Sequence, residues 1–453
     1  MSLHLPDWPA AERYLGTITD YERMAKLGTG LKKVDLSRTL GLMAYLDHPE
    51  RAVPAAHITG TKGKGSTAML LATLTGSCGK VTGLYTSPHL EELQERIAID
   101  GVPVPYPDLA RLIDRQFPYL EEQRNAGSDA APTFFEIMTA CAADWFRERH
   151  VDLAVYEVGL GGRLDSTNVL SPEVTAITSV SLEHTHILGD TIEAIAREKG
   201  GIIKPGVPLV SGCEFGSKAS LVLESIVKDV GASIWRLGRE IAVRYRPAAD
   251  GQGIRLDVET PLRTWNDLEL NLLGRFQSRN VAVALAMLDH LEARDQVSID
   301  TDAVRVALGR AHVPGRLENL GGEPPLILDG AHTPDSTRQL SRELDELFEG
   351  RRRVAVIAIA RDKNIQEVIA GLLRGTAAAV LTTASSPRSA TPEELFEGAG
   401  TLLPETVVLQ ADPGRAVEVA RDLAGSDGVV VVSGSFYLVG EVRKRWRSFR
   451  MSS

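Results

Sequence analysis

The sequence predicts an α/β protein in two units: a larger one with a parallel central sheet and a small antiparallel annex, then a smaller doubly wound one. Three observations predict it. Short β-branched runs alternate with helical patterns along most of the chain. Residues 152–158 and 174–180 are nearly continuous apolar runs, as in strands buried on both faces of a parallel sheet. After a stretch rich in proline and glycine at 312–325, the β/α alternation restarts.

Each element follows in order. Ala55–Thr59 reads as a strand, followed by the glycine-rich 60–65 and a helix from about Ser66. A second strand is expected at 81–85. Residues 132–150 read as a helix, because Thr133 and Glu136 have the T-x-x-E spacing of a capping box. A helix over 191–199 stops at Gly200-Gly201. Residues 241–245 and 254–258, separated by Asp250-Gly251-Gln252-Gly253, predict a hairpin or small antiparallel annex within 232–274. A helix follows from about Ser278 to Leu291.

The stretch 312–325 carries Pro314, Gly315, Gly321, Gly322, Pro324 and Pro325 and reads as a linker. Beyond it, strands are expected at 326–329, 354–360, 378–383, 407–410 and 428–433, each followed by a helical stretch. This second unit therefore reads as Rossmann-like. The expected domains are 1–312 and 313–453, with a cleft between them.

Of 453 residues, 43% are hydrophobic and 24% charged, which fits a globular protein with a real core. A formal net charge of −10 argues against non-specific nucleic-acid binding. The basic tail, Arg443, Lys444, Arg445, Arg447 and Arg450, is read as cations at the last turn of a C-terminal helix. Cys78, Cys141 and Cys213 form no CxxC pair, which argues against a disulfide framework or a zinc site and fits a reducing compartment. Met1-Ser2-Leu3-His4-Leu5-Pro6-Asp7 lacks the basic-then-apolar pattern of a signal peptide. No apolar run approaches the ~18 residues of a spanning helix. A cytoplasmic protein with no membrane partner is expected.

The strongest local signal is Gly60-Thr61-Lys62-Gly63-Lys64-Gly65-Ser66-Thr67, between a buried strand and a helix. In such a P-loop, backbone N–H groups curl round phosphates, a lysine neutralises them and a hydroxyl sits near magnesium. It is not a standard Walker A, because Gly65 separates Lys64 from Ser66. The bland alternative is a glycine-rich turn that binds nothing. The order strand, lysine, hydroxyls, helix argues against it.

Glu157 closes the 152–158 strand just before Gly159, Gly161 and Gly162. A carboxylate at the C-terminal end of a parallel strand points into the usual ligand crevice and suits magnesium, which prefers oxygen. Glu183-His184-Thr185-His186 invites a zinc reading, but no further Cys/His cluster supports one. On chemistry alone His184 is an ordinary loop residue and Lys199 a helix-end lysine facing the dipole. In the second unit, Asp329-Gly330-Ala331-His332 ends the first strand. Asp329 and His332 would lie at the cleft, or serve only as turn and cap residues. Arg316 would suit bidentate contact with a phosphate.

In this order, the motifs resemble the folylpolyglutamate synthase/dihydrofolate synthase family, relatives of the muramyl-peptide (Mur) ligases, over nearly the whole chain. GTKGKGST at 60–67 resembles the family phosphate loop, and YTSPHL at 85–90 the segment whose serine, here Ser87, ligates magnesium. TFFE, with Thr133, Phe135 and Glu136, resembles the folate-side segment. EVGLGGRLDSTN at 157–168 implies Glu157 on magnesium and Leu164, Asp165 and Ser166 on the pterin-bearing substrate. SLEHTHILG at 181–189 implies His184 as a further magnesium ligand, and REKGGIIKPG at 197–206 implies that Lys199 is carbamylated. Gln277 and Asn280 in GRFQSRN resemble the adenine-side motif. Arg316 and Asp329 resemble ATP contacts made from the second unit, and His332 and Ser435 resemble positions serving the incoming glutamate. The chain departs from the family pattern at several places. Glu183 replaces an aspartate, Gly200 and Ser166 alanines, Arg275 a histidine and Thr333 an asparagine. Lys62 stands where many members have asparagine, and both forms occur.

The resemblance makes the larger unit a P-loop-type ATP-binding domain and implies a monomeric, magnesium-dependent ligase. ATP would activate a carboxylate of folate or dihydropteroate as an acyl phosphate, which the amine of L-glutamate attacks. Lys64, Lys199 and His332 would serve the chemistry. A second reading is a Mur-type ligase adding an amino acid to a cell-wall precursor. A third is a nucleotide-binding scaffold that kept the fold without the chemistry; intact Lys64, Glu157, His184 and Lys199 argue against it.

Overall fold

The computed structural model describes residues 4–20, 35–127, 130–247 and 253–451. Residues 1–3 of the N-terminal segment, Asp250-Gly251-Gln252 of the expected turn, and the side chain of Arg450 lie outside what it describes.

The first sheet has eight strands: β1 (Ala55–Thr59), β2 (Thr82–Tyr85), β3 (Ile97–Ile99), β4 (Val102–Pro103), β5 (Leu153–Glu157), β6 (Val174–Ile177), β7 (Leu209–Ser211) and β8 (Ile234–Arg236). Their order is β4-β3-β2-β5-β1-β6-β7-β8. From β2 to β8 along that order every pairing is parallel, and only β3 and β4 at one edge pair antiparallel. Every residue of β1, β5 and β6 is buried, as their continuous apolar runs predict.

β1 lies between β5 and β6, so the chain leaves its C-terminal end at a switch point of the sheet, where ligand crevices form. On one face Ile58 and Val155 pack with Ala68, Leu71 and Leu74 of the helix Lys64–Ser77 and with Val281, Ala284 and Leu288 of the helix Phe276–Glu292. On the other, Ala154 and Tyr156 pack with Ile137 and Met138 of the helix Phe134–Glu148. The phosphate loop is thus gripped between two buried layers.

The annex is a three-stranded antiparallel sheet, β9 (Ala242–Pro247), β10 (Ile254–Glu259) and β11 (Thr264–Leu270), in the order β11-β10-β9. Ile254, Leu256 and Val258 alternate inward to the first core, the period-2 signal of a half-buried strand. β11 lies in the expected window; its charged sequence, TWNDLEL, hides the alternation of Trp265, Leu268 and Leu270.

The second sheet holds β12 (Glu318–Asn319), β13 (Leu326–Leu328), β14 (Arg353–Ile357), β15 (Ala378–Leu381), β16 (Thr406–Leu409) and β17 (Val429–Ser433), in the order β12-β13-β17-β14-β15-β16. All pairings are parallel except that of β12. The expected linker is therefore partly ordered. β12 forms inside it, and the buried Glu318 accepts from Arg443 Nε at 2.8 and 3.0 Å.

The C-terminal helix Phe436–Met451 carries the basic tail, but Arg443 and Lys444 are not at its last turn. Arg443 also reaches Glu91, and Lys444 pairs with Glu92 at 2.5 Å, so the tail holds the segment after YTSPHL. Leu273 packs into the second sheet's core, as does Leu90 on its other face. Among the described residues no helix is long and apolar enough to cross a membrane.

Candidate active site

The phosphate loop leaves β1 at Gly60 (φ 156°) and turns at Gly63, whose φ of 84° favours glycine. A Cβ at Gly63 would also lie 2.4 Å from Asn280 Oδ1, so the loop and the helix Phe276–Glu292 meet there. The following helix starts at Lys64, two residues before Ser66, because Gly63 already serves as its cap and accepts from Thr67 N at 2.9 Å.

Two lysines converge on one atom. Lys64 Nζ donates to the Gly60 carbonyl at 3.0 Å, and Lys199 Nζ, from the end of the helix Ile192–Gly200, donates to the same oxygen at 2.9 Å. Burial, with Lys62 and Arg316 nearby, lowers the pKa of Lys64 against the pull of Glu157 and Glu183. Burial and the neighbouring Lys64 bring Lys199 down to about 7. Gly60, Thr61, Lys64, Gly159, Leu160, Gly161, Glu183, His184 and Lys199 line one polar cavity.

Glu157, 4% exposed, ends β5 beside this cavity. Its Oε2 accepts from Ser87 N at 3.0 Å. A Cβ on Gly65 would come within 3.2 and 3.3 Å of its two oxygens, so glycine lets the carboxylate lie against the first turn of the loop helix. His184 precedes the short helix Thr185–Leu188 with φ 51°. Glu183 pairs with Lys62 at 2.8 Å. Burial alone would raise the pKa of Glu183, but the charge and hydrogen bond of Lys62, with Lys64, hold it at about 2.

The GLGGRLDST loop is organised by its own acid. Asp165 accepts from Leu160 N, Thr167 N and Thr167 Oγ1 at 2.9, 3.0 and 2.5 Å; burial nonetheless raises its pKa. Thr167 Oγ1 in turn bonds His57 Nε2 at 2.8 Å. Burial, then Lys204, lowers His57 to about 3, so it is neutral. Ser166 Oγ meets Thr139 Oγ1 at 2.7 Å, and the Phe135 ring packs on the Cα of Gly159, where a Cβ would lie 2.5 Å from it. The TFFE and LDS segments are therefore adjacent, with Leu164 half-buried beside them. The capping box is formed. Glu136 accepts from Thr133 N at 2.6 Å and from Arg38 Nε at 3.1 Å on both oxygens.

From the second unit, Asp329 accepts from Leu317 N and Ala331 N at 2.9 and 2.8 Å, tying the Arg316 loop to the end of β13. Burial raises the pKa of Asp329 against the opposing Arg316. Burial lowers that of Arg316, against the charges of Asp329, Glu157 and Glu183, which brings Arg316 electrostatically onto the first unit's site. His332 Nδ1–H donates to the Gly330 carbonyl at 2.8 Å. Ser435 is half-buried just after Gly434, whose N–H donates to the Ala331 carbonyl at 3.0 Å. Phe436, which the sequence reading misses, is the hub. Its ring lies 4.5 Å from the Arg316 guanidinium and 5.5 Å from the His332 ring, and a Cβ on Gly330 would strike it.

Two buried polar atoms fit a nucleotide here. Thr67 Oγ1 in the loop and Gln277 Nε2 at the start of its neighbouring helix lack a hydrogen-bond partner, while Gln277 Oε1 accepts from Asn280 Nδ2 at 2.9 Å. Magnesium fits as well: Glu157 offers carboxylate oxygen beside Gly65 of the loop, and Ser87, a hydroxyl residue, is tied to that carboxylate through its N–H. Among the described residues no three His, Cys, Asp or Glu side chains converge, and magnesium retains waters where a protein supplies few ligands.

Residues 315–436 match the model of the Mur ligase, glutamate ligase domain. The chain is 33% identical over 416 residues to a dihydrofolate synthase/folylpolyglutamate synthase of Bacillus subtilis, covering 91% of this chain and 95% of that one. The crystal structure of folylpolyglutamate synthase from Thermotoga maritima superposes with a TM-score of 0.85 at 32% identity, covering 98% and 97% of the two chains. That of Mycobacterium tuberculosis folylpolyglutamate synthase complexed with ADP and AMPPCP does so at 0.85 and 31%, covering 97% and 99%. The likeness in sequence and in fold spans nearly the whole chain, and the chain belongs to the dihydrofolate synthase/folylpolyglutamate synthase family.

Proposed function

We propose that this chain is a cytoplasmic, monomeric ligase that uses ATP to join L-glutamate to a folate, and also to dihydropteroate. The observation that carries the reading is the convergence of Lys64 and Lys199 on the Gly60 carbonyl beside Glu157. Such a site sets the Lys64 ammonium where phosphates would lie, beside a second amine able to give up its proton and an acid at the edge.

A carboxylate does not condense with an amine in water, because its oxygen is a poor leaving group. In the proposed reaction a carboxylate oxygen of the folate attacks the γ-phosphorus of ATP, and the bond to the bridging oxygen breaks to release ADP. The α-amino group of glutamate then attacks the acyl carbon. Phosphate leaves, the nitrogen loses a proton, and an amide remains. Lys64 and the loop amides would hold the phosphates, so the protein's work is positioning and charge neutralisation.

Ser87, Glu157, His184 and a carbamylated Lys199 would hold magnesium, which when bound would screen the anionic carboxylate from the γ-phosphate. A pKa of about 7 supports the carbamate, since the neutral amine is the form that adds to carbon dioxide, losing a proton as the N–C bond forms. Arg316 and Asp329 would reach the nucleotide from residues 313–453, and His332 and Ser435 the glutamate. Phe135, Leu164 and Ser166 would wall the pterin side, with Asp165 setting the loop they stand on. Thr133 and Glu136 would serve that side by fixing the first turn beneath Phe135.

The test is ATP- and magnesium-dependent incorporation of labelled glutamate, run with dihydropteroate, with tetrahydrofolate and with neither. Labelling of both is expected. Labelling of one narrows the activity to that acceptor. ATP binding with labelling of neither overturns the reading.

A further inference from the structure

The phosphate loop is stitched along one side to the chain leaving β6. Thr61 N donates to the Ser179 carbonyl at 2.8 Å, and Ser181 N donates to Thr61 Oγ1 at 3.0 Å. Lys62 N donates to Ser179 Oγ at 2.8 Å, while the Lys62 carbonyl accepts from Thr178 Oγ1 and Ser179 Oγ at 2.6 and 3.0 Å. Past residue 181 the side chain of Lys62 continues the seam, donating to Glu183 Oε1 at 2.8 Å. The next residue, His184, is a non-glycine in the left-handed region at φ 51°, a conformation that surrounding contacts must hold.

We propose that Lys62 and Glu183 are a positioning pair for the reaction: the Lys62 ammonium is committed to Glu183 rather than to the phosphates, and this bond sets the chain's entry into His184 against the phosphate loop. Lys62 is 38% exposed and Glu183 21%, so the pair closes the rim of the cavity rather than its floor, where Lys64 and Lys199 lie. The effect on turnover rests on the proposed ligase reading. The effect on the chain at 181–188 does not.

The experiment uses the full chain with Lys62→Met, Glu183→Gln, the double variant, and Lys62→Arg. Hydrogen–deuterium exchange of the free protein reads the first effect. The peptide spanning 181–188 is expected to exchange at least about threefold faster in either single variant and no faster in the double, because one bond is lost in all three. Wild-type labelling of a folate tests the ligase reading by itself. Given that labelling, kcat is expected to fall about tenfold in each single variant and no further in the double. Lys62→Arg, which keeps the charge and reach, should stay within about threefold of wild type. ADP affinity should stay within about threefold in Lys62→Met. Unchanged exchange at 181–188, or losses that multiply in the double variant, would overturn the pair. A tenfold loss of ADP affinity confined to Lys62→Met would instead make Lys62 a phosphate ligand and overturn it equally.

Discussion

Lys64 and Lys199 point their ammonium groups at the same Gly60 carbonyl, at 3.0 and 2.9 Å, from the start of one helix and the end of another 135 residues on. One carbonyl oxygen cannot offset two buried positive charges. The arrangement therefore disfavours two protons, and Lys199, at about 7, is the one that yields.

The sign of the pH dependence follows. The folded-state pKa of Lys199 is depressed from 10.5 to about 7, so between those values the unfolded chain binds more protons and stability rises with pH. Below about 7 the amine is protonated in both states and the burial penalty is present in full. Lys199→Met should remove that penalty. Its melting temperature should exceed that of wild type at pH 6, with the gap narrowing towards pH 9, while ligase activity is lost. A gap that widens as pH rises would refute the assignment. In wild type, added 13C-bicarbonate should give a carbamate signal that strengthens above pH 7 and is absent from Lys199→Met.

Gly65 offers a case where stability and activity should move oppositely. It is the second residue of the helix Lys64–Ser77, with no positive φ that would require glycine, so alanine is favoured there by up to about 1 kcal/mol. A Cβ there meets Glu157 Oε2 at 3.2 Å and Oε1 at 3.3 Å, close enough to push the carboxylate aside by a few tenths of an ångström. Gly65→Ala should keep or raise the melting temperature and lower kcat by about 10²-fold, the scale of losing one preorganised group. Steady-state kinetics beside a melting curve checks both.

Much of this site is legible in the sequence, and the reasons are local. β1, the glycine turn and the helix after it occupy one continuous stretch, and the Thr133–Glu136 box is a four-residue signal. What escapes is what distance builds. Arg38 reaches Glu136 across 98 residues, and no spacing announces it. β12 is two residues long in a stretch of prolines and glycines, and its Glu318 is held by Arg443, 125 residues later. Phe436 reads as one apolar residue in SGSFYLVG; its role appears only once Arg316, Gly330 and His332 surround it.

That role gives a further expectation. Phe436→Leu keeps an apolar side chain but removes the ring face under Arg316, a contact worth about 1 kcal/mol, or roughly a fivefold effect. It also loosens His332. The KM for glutamate should rise and kcat fall by about fivefold each, with the affinity of the first unit for the folate unchanged. A comparable loss of folate affinity would show instead a general disturbance of the fold.

Arg443 joins three segments that are far apart in the chain, and its removal should be felt by all of them. Its side chain is 5% exposed, and those of Glu318 and Glu91 are 2% and 10% exposed. Replacing one partner of a buried ion pair strands the other charge, which costs about 3–5 kcal/mol. Glu318 keeps the Gly315 N–H at 2.8 Å and His312 at 3.0 Å, so the low end is expected, about 3 kcal/mol for Arg443→Met. Urea unfolding should report it. The double variant Arg443→Met/Glu318→Gln removes the stranded charge and should recover part of the loss, which a purely steric role of Arg443 would not allow. Lys444 and Glu92 lie near the surface, at 63% and 39% exposure, and are screened by water, so Lys444→Ala should change stability by no more than about 1 kcal/mol. The contrast follows from burial, because both residues stand on one helix and face neighbouring acids of one segment.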